Sequence, residues 1–285
     1  MNRQKVTLAS IIIILLVVLA FNREAREYLG LEAINQNIAD KAGTEEYGNN
    51  IEKYEETTKL DPDNPENYYN RAIVKGHSMD FEGAIEDFNK AIEFSPDDSN
   101  LYYNRGTAKA KWGDAKGAIE DFSKAIELNP GDSRSYVSRG FTYKITGEPA
   151  GAILDFNKAI EINPNDFQSY NYRATVKGNL DDLEGAIEDF TKAIEINPKY
   201  GEGYINRAKA KIMLEDNSGA IEDFDKAIEL DPGVAGLAYA YKGYLLISMD
   251  ENEKGCSSLS KADEMGIMLQ VYSDNYMQIK ELCNF

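Results

Sequence analysis

Few residue types in this chain are arranged to do covalent chemistry. A single histidine, His77, could serve as a general base, and no serine and aspartate are evident to complete a nucleophilic triad with it. Two cysteines, Cys256 and Cys283, lie near the C-terminus outside any Cys-x-x-Cys pair or Cys/His cluster, so neither zinc nor haem ligation is signalled. In an oxidising compartment they could join as a disulfide. The alternative is that both are small buried hydrophobes. The carboxylates recur with the helical period and mark a solvated face more than an acid–base pair. No glycine-rich phosphate loop follows a strand-like segment. The chain therefore reads as a non-enzyme, with no catalytic residues, no metal ligands and no cofactor.

What does recur is a cation and an anion. Arg71, Arg105, Arg139, Arg173 and Arg207 are matched by Asp87, Asp121, Asp155, Asp189 and Asp223. The arginines could form a ladder for acidic ligands. They could equally pair with the aspartates in bidentate fashion, joining helices inside a unit or between neighbours. The second use is favoured: identity in every unit is what a fold constraint produces, whereas a specific ligand is read by positions that differ.

The elements that must position these residues follow from the spacing of prolines. Pro62, Pro96, Pro130, Pro164, Pro198 and Pro232 stand 34 residues apart. They delimit five complete units, 65–98, 99–132, 133–166, 167–200 and 201–234, each reading approximately YxxR[A/G]…GAIEDFxKAIExxP. A first helix is expected around Tyr68, Tyr102, Tyr136, Tyr170 and Tyr204. A small residue follows four places later: Ala72, Gly106, Gly140, Ala174, Ala208. A second helix carries Ala84, Ile85, Phe88, Ala91 and Ile92 at spacings of three and four, hence on one face. Small residues let the two helices approach, Phe and Ile fill the space between pairs, and proline punctuates the ends.

These units resemble tetratricopeptide repeats. The length, the Ala/Gly at the eighth place, the alanines at the twentieth and twenty-seventh and the proline at the thirty-second all match that family. Its usual tryptophan at the fourth place is tyrosine here, and its leucine at the seventh is arginine. The resemblance implies an all-α, right-handed superhelical solenoid of antiparallel helix pairs. It also implies a concave groove lined by first helices, whose variable positions would touch a protein or peptide ligand. Those positions supply Tyr69, Asn70, Tyr103, Asn104, Lys111, Phe141, Lys144, Asn171, Tyr172, Asn206 and Lys209 as candidate partner-binding residues. Glu66 and Glu202 stand against Lys111, Arg134, Lys144 and Lys209, so the lining is near neutral or slightly basic. Rings and amides suit an extended peptide; the competing use of any one ring is packing between units. A clamp for a C-terminal carboxylate is not expected, because lysines flanking Asn70, Asn104 and Asn206 are mostly missing. The implied function is a non-catalytic interaction scaffold, with an assembly chaperone binding several immature clients weakly as the alternative.

The rest of the 285 residues frames this array. A formal net charge of −18 argues against nucleic acid, which needs clustered Lys and Arg, and favours solubility of an elongated array. Residues 6–21 (VTLASIIIILLVVLAF) form the one strongly apolar run, a little short of the roughly 20 residues of a comfortable span. Residues 1–22 are read as a membrane anchor or, alternatively, a cleaved export signal. The repeats would be extracytoplasmic on a single-pass protein, or soluble and exported after cleavage. Residues 23–64 are expected to form a degenerate first repeat, and 235–285 an atypical sixth repeat ending in a capping helix, since terminal repeats of an array are atypical.

Overall fold

The computed structural model describes residues 51–267 and 282–283. The described residues are helical throughout, with no strand. They fall into two compact units, one ending at Pro164 and the other beginning at Asn165. The N-terminal unit opens with α1 (51–60) and continues as three antiparallel pairs: α2 (Pro65–His77) with α3 (Phe81–Phe94), α4 (Ser99–Trp112) with α5 (Ala115–Leu128), and α6 (Ser133–Thr146) with α7 (Pro149–Ile162). The C-terminal unit holds α8 (Phe167–Asn179) with α9 (Leu183–Ile196), α10 (Gly201–Met213) with α11 (Asn217–Leu230), and α12 (Ala235–Ser248) with α13 (Asn252–Glu264). Within each unit, every second helix also packs on the first helix of the next pair.

Capping chemistry sets these helix starts. Asn64, Asp98, Asp132 and Asp166 accept a hydrogen bond from the amide two residues on, opening α2, α4, α6 and α8. Asp80, Asp114, Asp182 and Asp216 accept from Gly83, Gly117, Gly185 and Gly219 amides three residues on, opening α3, α5, α9 and α11. α7 has no such cap and begins instead on Pro149, whose missing N–H leaves one fewer amide to satisfy.

The core of each unit is built mainly from alanines and phenylalanines. Ala84, Ala91, Ala118, Ala125, Ala186, Ala193, Ala220 and Ala227 are fully buried, and Phe88, Phe122, Phe156, Phe190 and Phe224 nearly so. The small residue of the first helix is required sterically: a Cβ on Gly106 would lie 2.9 Å from Phe122 Cε1. In the last pair both helices use glycine. A Cβ on Gly243 would meet Leu259 Cγ at 2.6 Å, and one on Gly255 would meet the Gly243 carbonyl at 2.9 Å. The helices that follow Pro232, α12 and α13, pack Leu259 against Gly243 where earlier pairs pack phenylalanine against the small residue of the first helix.

Cys256 and Cys283 are joined as a disulfide, with Cα atoms 5.3 Å apart. Cys283 packs on the cluster of Ala240, Leu259 and Ala262. The two cysteines are thus not separate buried thiols. The apolar run 6–21, residues 23–50 of the expected degenerate first repeat and most of the expected capping helix lie outside the described residues. Among those described, no helix is long and apolar enough to cross a membrane.

Candidate partner-binding surface

The recurring arginines are engaged inside the repeats. Arg105 donates from Nε and Nη2 to the two carboxylate oxygens of Asp121, at 2.8 and 2.6 Å. The same bidentate pair joins Arg71 to Asp87, Arg139 to Asp155, Arg173 to Asp189 and Arg207 to Asp223. Each pair ties a first helix to its own second helix around a buried aspartate. Hydrogen bonding to the aspartate, working against burial, holds the guanidinium groups of Arg71, Arg139, Arg173 and Arg207 above their usual range. The remaining nitrogen, Nη1, reaches the preceding second helix: Arg105 to Asn89, Arg139 to Ser123 and Arg207 to Thr191. A ligand would have to displace these bonds to use the ladder.

A third member of this network was not picked out from the sequence. Lys75, Lys109, Lys177 and Lys211, one helical turn beyond the arginine, each pair with the same aspartate at 2.8–2.9 Å. The signal was present as Arg-x-x-x-Lys in those units. The third unit breaks it with Tyr143, so Arg139 is the only cation paired with Asp155 among the described residues.

In the N-terminal unit the variable positions of the first helices form a mixed aromatic and polar face. Tyr69 meets Phe88 edge-on at 6.1 Å and Tyr103 is tilted against Phe122 at 5.9 Å, so one side of each ring is packed and the residue stays half-buried. Arg134 lies over the Tyr103 ring at 5.0 Å and donates to Asn100 Oδ1 at 3.3 Å, linking α6 to α4. The Asn104 amide donates to the Asn100 carbonyl of its own helix. Lys144 extends over Phe141, 5.5 Å from the ring centroid. Asn70 is half-buried and Lys111 exposed.

The same positions in the C-terminal unit are largely covered. Asn171 and Asn206 are buried and bonded to each other, with Asn206 Nδ2 donating to Asn171 Oδ1 at 3.3 Å. Lys209 is only 3% exposed, and its ammonium lies 4.9 Å from the Tyr241 ring centroid. Tyr172 remains half-buried. The Asn171–Asn206 bond joins first helices α8 and α10, and Tyr241 on α12 covers Lys209.

Family models described as tetratricopeptide repeat match residues 99–132, 133–166, 156–188 and 201–233, and one described as TPR repeat matches 80–113. The chain belongs to the tetratricopeptide repeat family. Solved structures agree on the fold of this repeat protein. The C-terminal part of a TPR repeat-containing protein from Cytophaga hutchinsonii matches with a TM-score of 0.64 at 19% identity, covering 89% of this chain and 98% of that one. A tetratricopeptide repeat protein from Parabacteroides merdae gives 0.61 at 19% identity, covering 92% and 100%. YrrB, described as a TPR protein with an unusual peptide-binding site, gives 0.55 at 20% identity, covering 70% and 99%. No match was found among curated proteins.

Proposed function

We propose that this tetratricopeptide repeat protein is a non-catalytic interaction scaffold that holds an extended peptide or partner segment on the first helices of its N-terminal unit. The observation that carries the reading is a division of labour. The invariant arginines are engaged with buried aspartates, whereas Tyr69, Tyr103, Phe141 and Lys144 vary between repeats and remain partly accessible. Rings fixed on one side by Phe88 and Phe122 present area to a ligand at little entropic cost. The polar rim of Asn70, Asn104 and Lys111 suits hydrogen bonding to a peptide backbone. YrrB, of similar fold, is described as having a peptide-binding site, which fits a ligand of that kind.

Membrane attachment and an extracytoplasmic position for the repeats belong to the same proposal. They rest on the apolar run at residues 6–21 and on a disulfide that needs an oxidising compartment to persist. A photo-crosslinking residue placed at 103, with a matched control at Glu120 on α5, tests the binding face in native membranes. Adducts to a defined protein from position 103 and none from 120 are expected. Equal labelling from both positions would end the assignment of the face.

A further inference from the structure

The turns between paired helices carry a pattern that neither the core nor the first-helix face requires. In the C-terminal unit each first helix closes on an exposed hydrophobe: Leu180, Leu214 and Met249, at 53%, 39% and 37% exposure. The next residue is acidic and left-handed in all three turns: Asp181 at φ 66°, Glu215 at 62° and Asp250 at 64°. Residues with a Cβ enter this region at an energetic cost. The turns after α4 and α6 meet the same need with Gly113 and Gly147. The turn geometry alone therefore does not call for an acidic side chain.

Nothing nearby neutralises these carboxylates. All three residues are exposed, and they make no ion pair among the described residues. Lys177 and Lys211, closest in the chain, are engaged by Asp189 and Asp223. Of the following acids, Asp182 and Asp216 cap helices and Glu251 pairs with Lys254. Stacking of repeats puts equivalent turns along one edge. Scattered exposed hydrophobes are ordinary on a protein surface. Three at one repeat position, each followed by an unpaired acid, make an apolar row with an anionic border.

We infer that this edge docks a basic amphipathic helix of a partner protein. The three hydrophobes recur once per repeat, and a ligand helix offers apolar residues at a similarly regular interval, rising about 10.5 Å per heptad. Leucine-type residues every seventh position would meet Leu180, Leu214 and Met249, while flanking Lys or Arg would meet Asp181, Glu215 and Asp250. The chain's −18 charge would draw such a cation in and repel an anionic lipid surface. The site is separate from the first-helix face, so each can fail without the other.

The test uses the full chain in detergent and a synthetic helical peptide of about 21 residues, three heptads with leucine at every seventh place and lysines beside it. Its glutamate counterpart is the control. The lysine peptide should bind, weaken in high salt and leave the glutamate peptide without measurable affinity. Neutralising the border (Asp181→Asn, Glu215→Gln, Asp250→Asn together) should weaken binding about tenfold, and so should replacing Leu180, Leu214 and Met249 together with serine. Both sets should leave the melting temperature unchanged, and Tyr103→Leu should leave binding unchanged. Equal binding of the two peptides, indifference to both triple variants, or loss through Tyr103→Leu would overturn the inference. So would border-dependent sedimentation with anionic vesicles, which would make the ligand a membrane.

Discussion

At the scale of single residues, the arginine network decides what the repeats can offer a ligand. Asp121 is held by Arg105 and Lys109, whereas Asp155 has Arg139 alone among the described residues. Removing one partner of a buried pair leaves a desolvated charge behind, typically at about 3–5 kcal/mol. Arg139→Ala should approach that range, while Arg105→Ala should cost about half as much because Lys109 remains. Urea melts of the two variants check the order; equal losses would mean that Lys109 contributes nothing to holding Asp121. Partner affinity of the folded Arg105→Ala protein should stay close to that of the parent, since the guanidinium faces Asp121 and Asn89. The last pair varies the scheme in a compensated way. Lys242 stands beside Gly243 where the arginines stand beside their small residue, and it pairs with Asp225 on the preceding helix α11. Ser258 occupies the place of the aspartate within its own pair. The carboxylate has moved from one partner helix to the other, so the terminal pair is held to its neighbour by charge and within itself by close Gly243–Gly255 packing.

At the scale of elements, close approach of paired helices depends on alanine and glycine where branched side chains would not fit. Ala152 on α7 is fully buried, and a Cβ added at Gly140 on α6 would sit 3.3 Å from the Ala152 carbonyl. Ala152→Leu should therefore destabilise by about 1–3 kcal/mol through overpacking. A neutral result in denaturant melts would mean that α6 and α7 can separate without loss. This inward face was legible from sequence because alanine, isoleucine and phenylalanine recur with the helical period and the 34-residue register never slips. The arginine–aspartate pairing was legible for the same reason. Other features depend on distances that spacing does not encode. Asn206 occupies the first-helix place of Asn70 and Asn104, Asn171 that of Tyr69 and Tyr103, and Lys209 that of Phe141, yet all three are buried. Asn171 and Asn206 are spent on each other, and Lys209 lies against Tyr241 on α12, a helix whose register is shifted. The acidic left-handed turns carry no glycine to announce them, and only the backbone reveals that Asp181, Glu215 and Asp250 are equivalent.

At the scale of the whole molecule, the Cys256–Cys283 disulfide joins the folded array to the question of where it resides. It ties the chain end to α13 across a separation of 27 residues. Closing a loop of that size lowers the entropy of the unfolded chain, worth about 3–4 kcal/mol on the chain-entropy account. Reduction should therefore lower the stability of the C-terminal unit, and Cys256→Ser with Cys283→Ser should reproduce the loss and abolish sensitivity to reductant. A bond of this kind persists where thiols are not kept reduced, and the proposed use of the apolar run at residues 6–21 as an anchor or a signal would bring the repeats to such a place. These two features make one joint prediction. Protein from cells, trapped in acid and treated with a thiol-reactive tag before and after reduction, should take up the tag only after reduction. The same pool should sediment with membranes and resist carbonate if residues 1–22 are retained, or appear soluble with a new N-terminus near Phe21 if they are removed. Either fractionation outcome is compatible with export. Quantitative tagging before reduction is not, because thiols free in the cell would place the repeats on the reducing side, and the extracytoplasmic position would have to be given up whatever the fractionation shows.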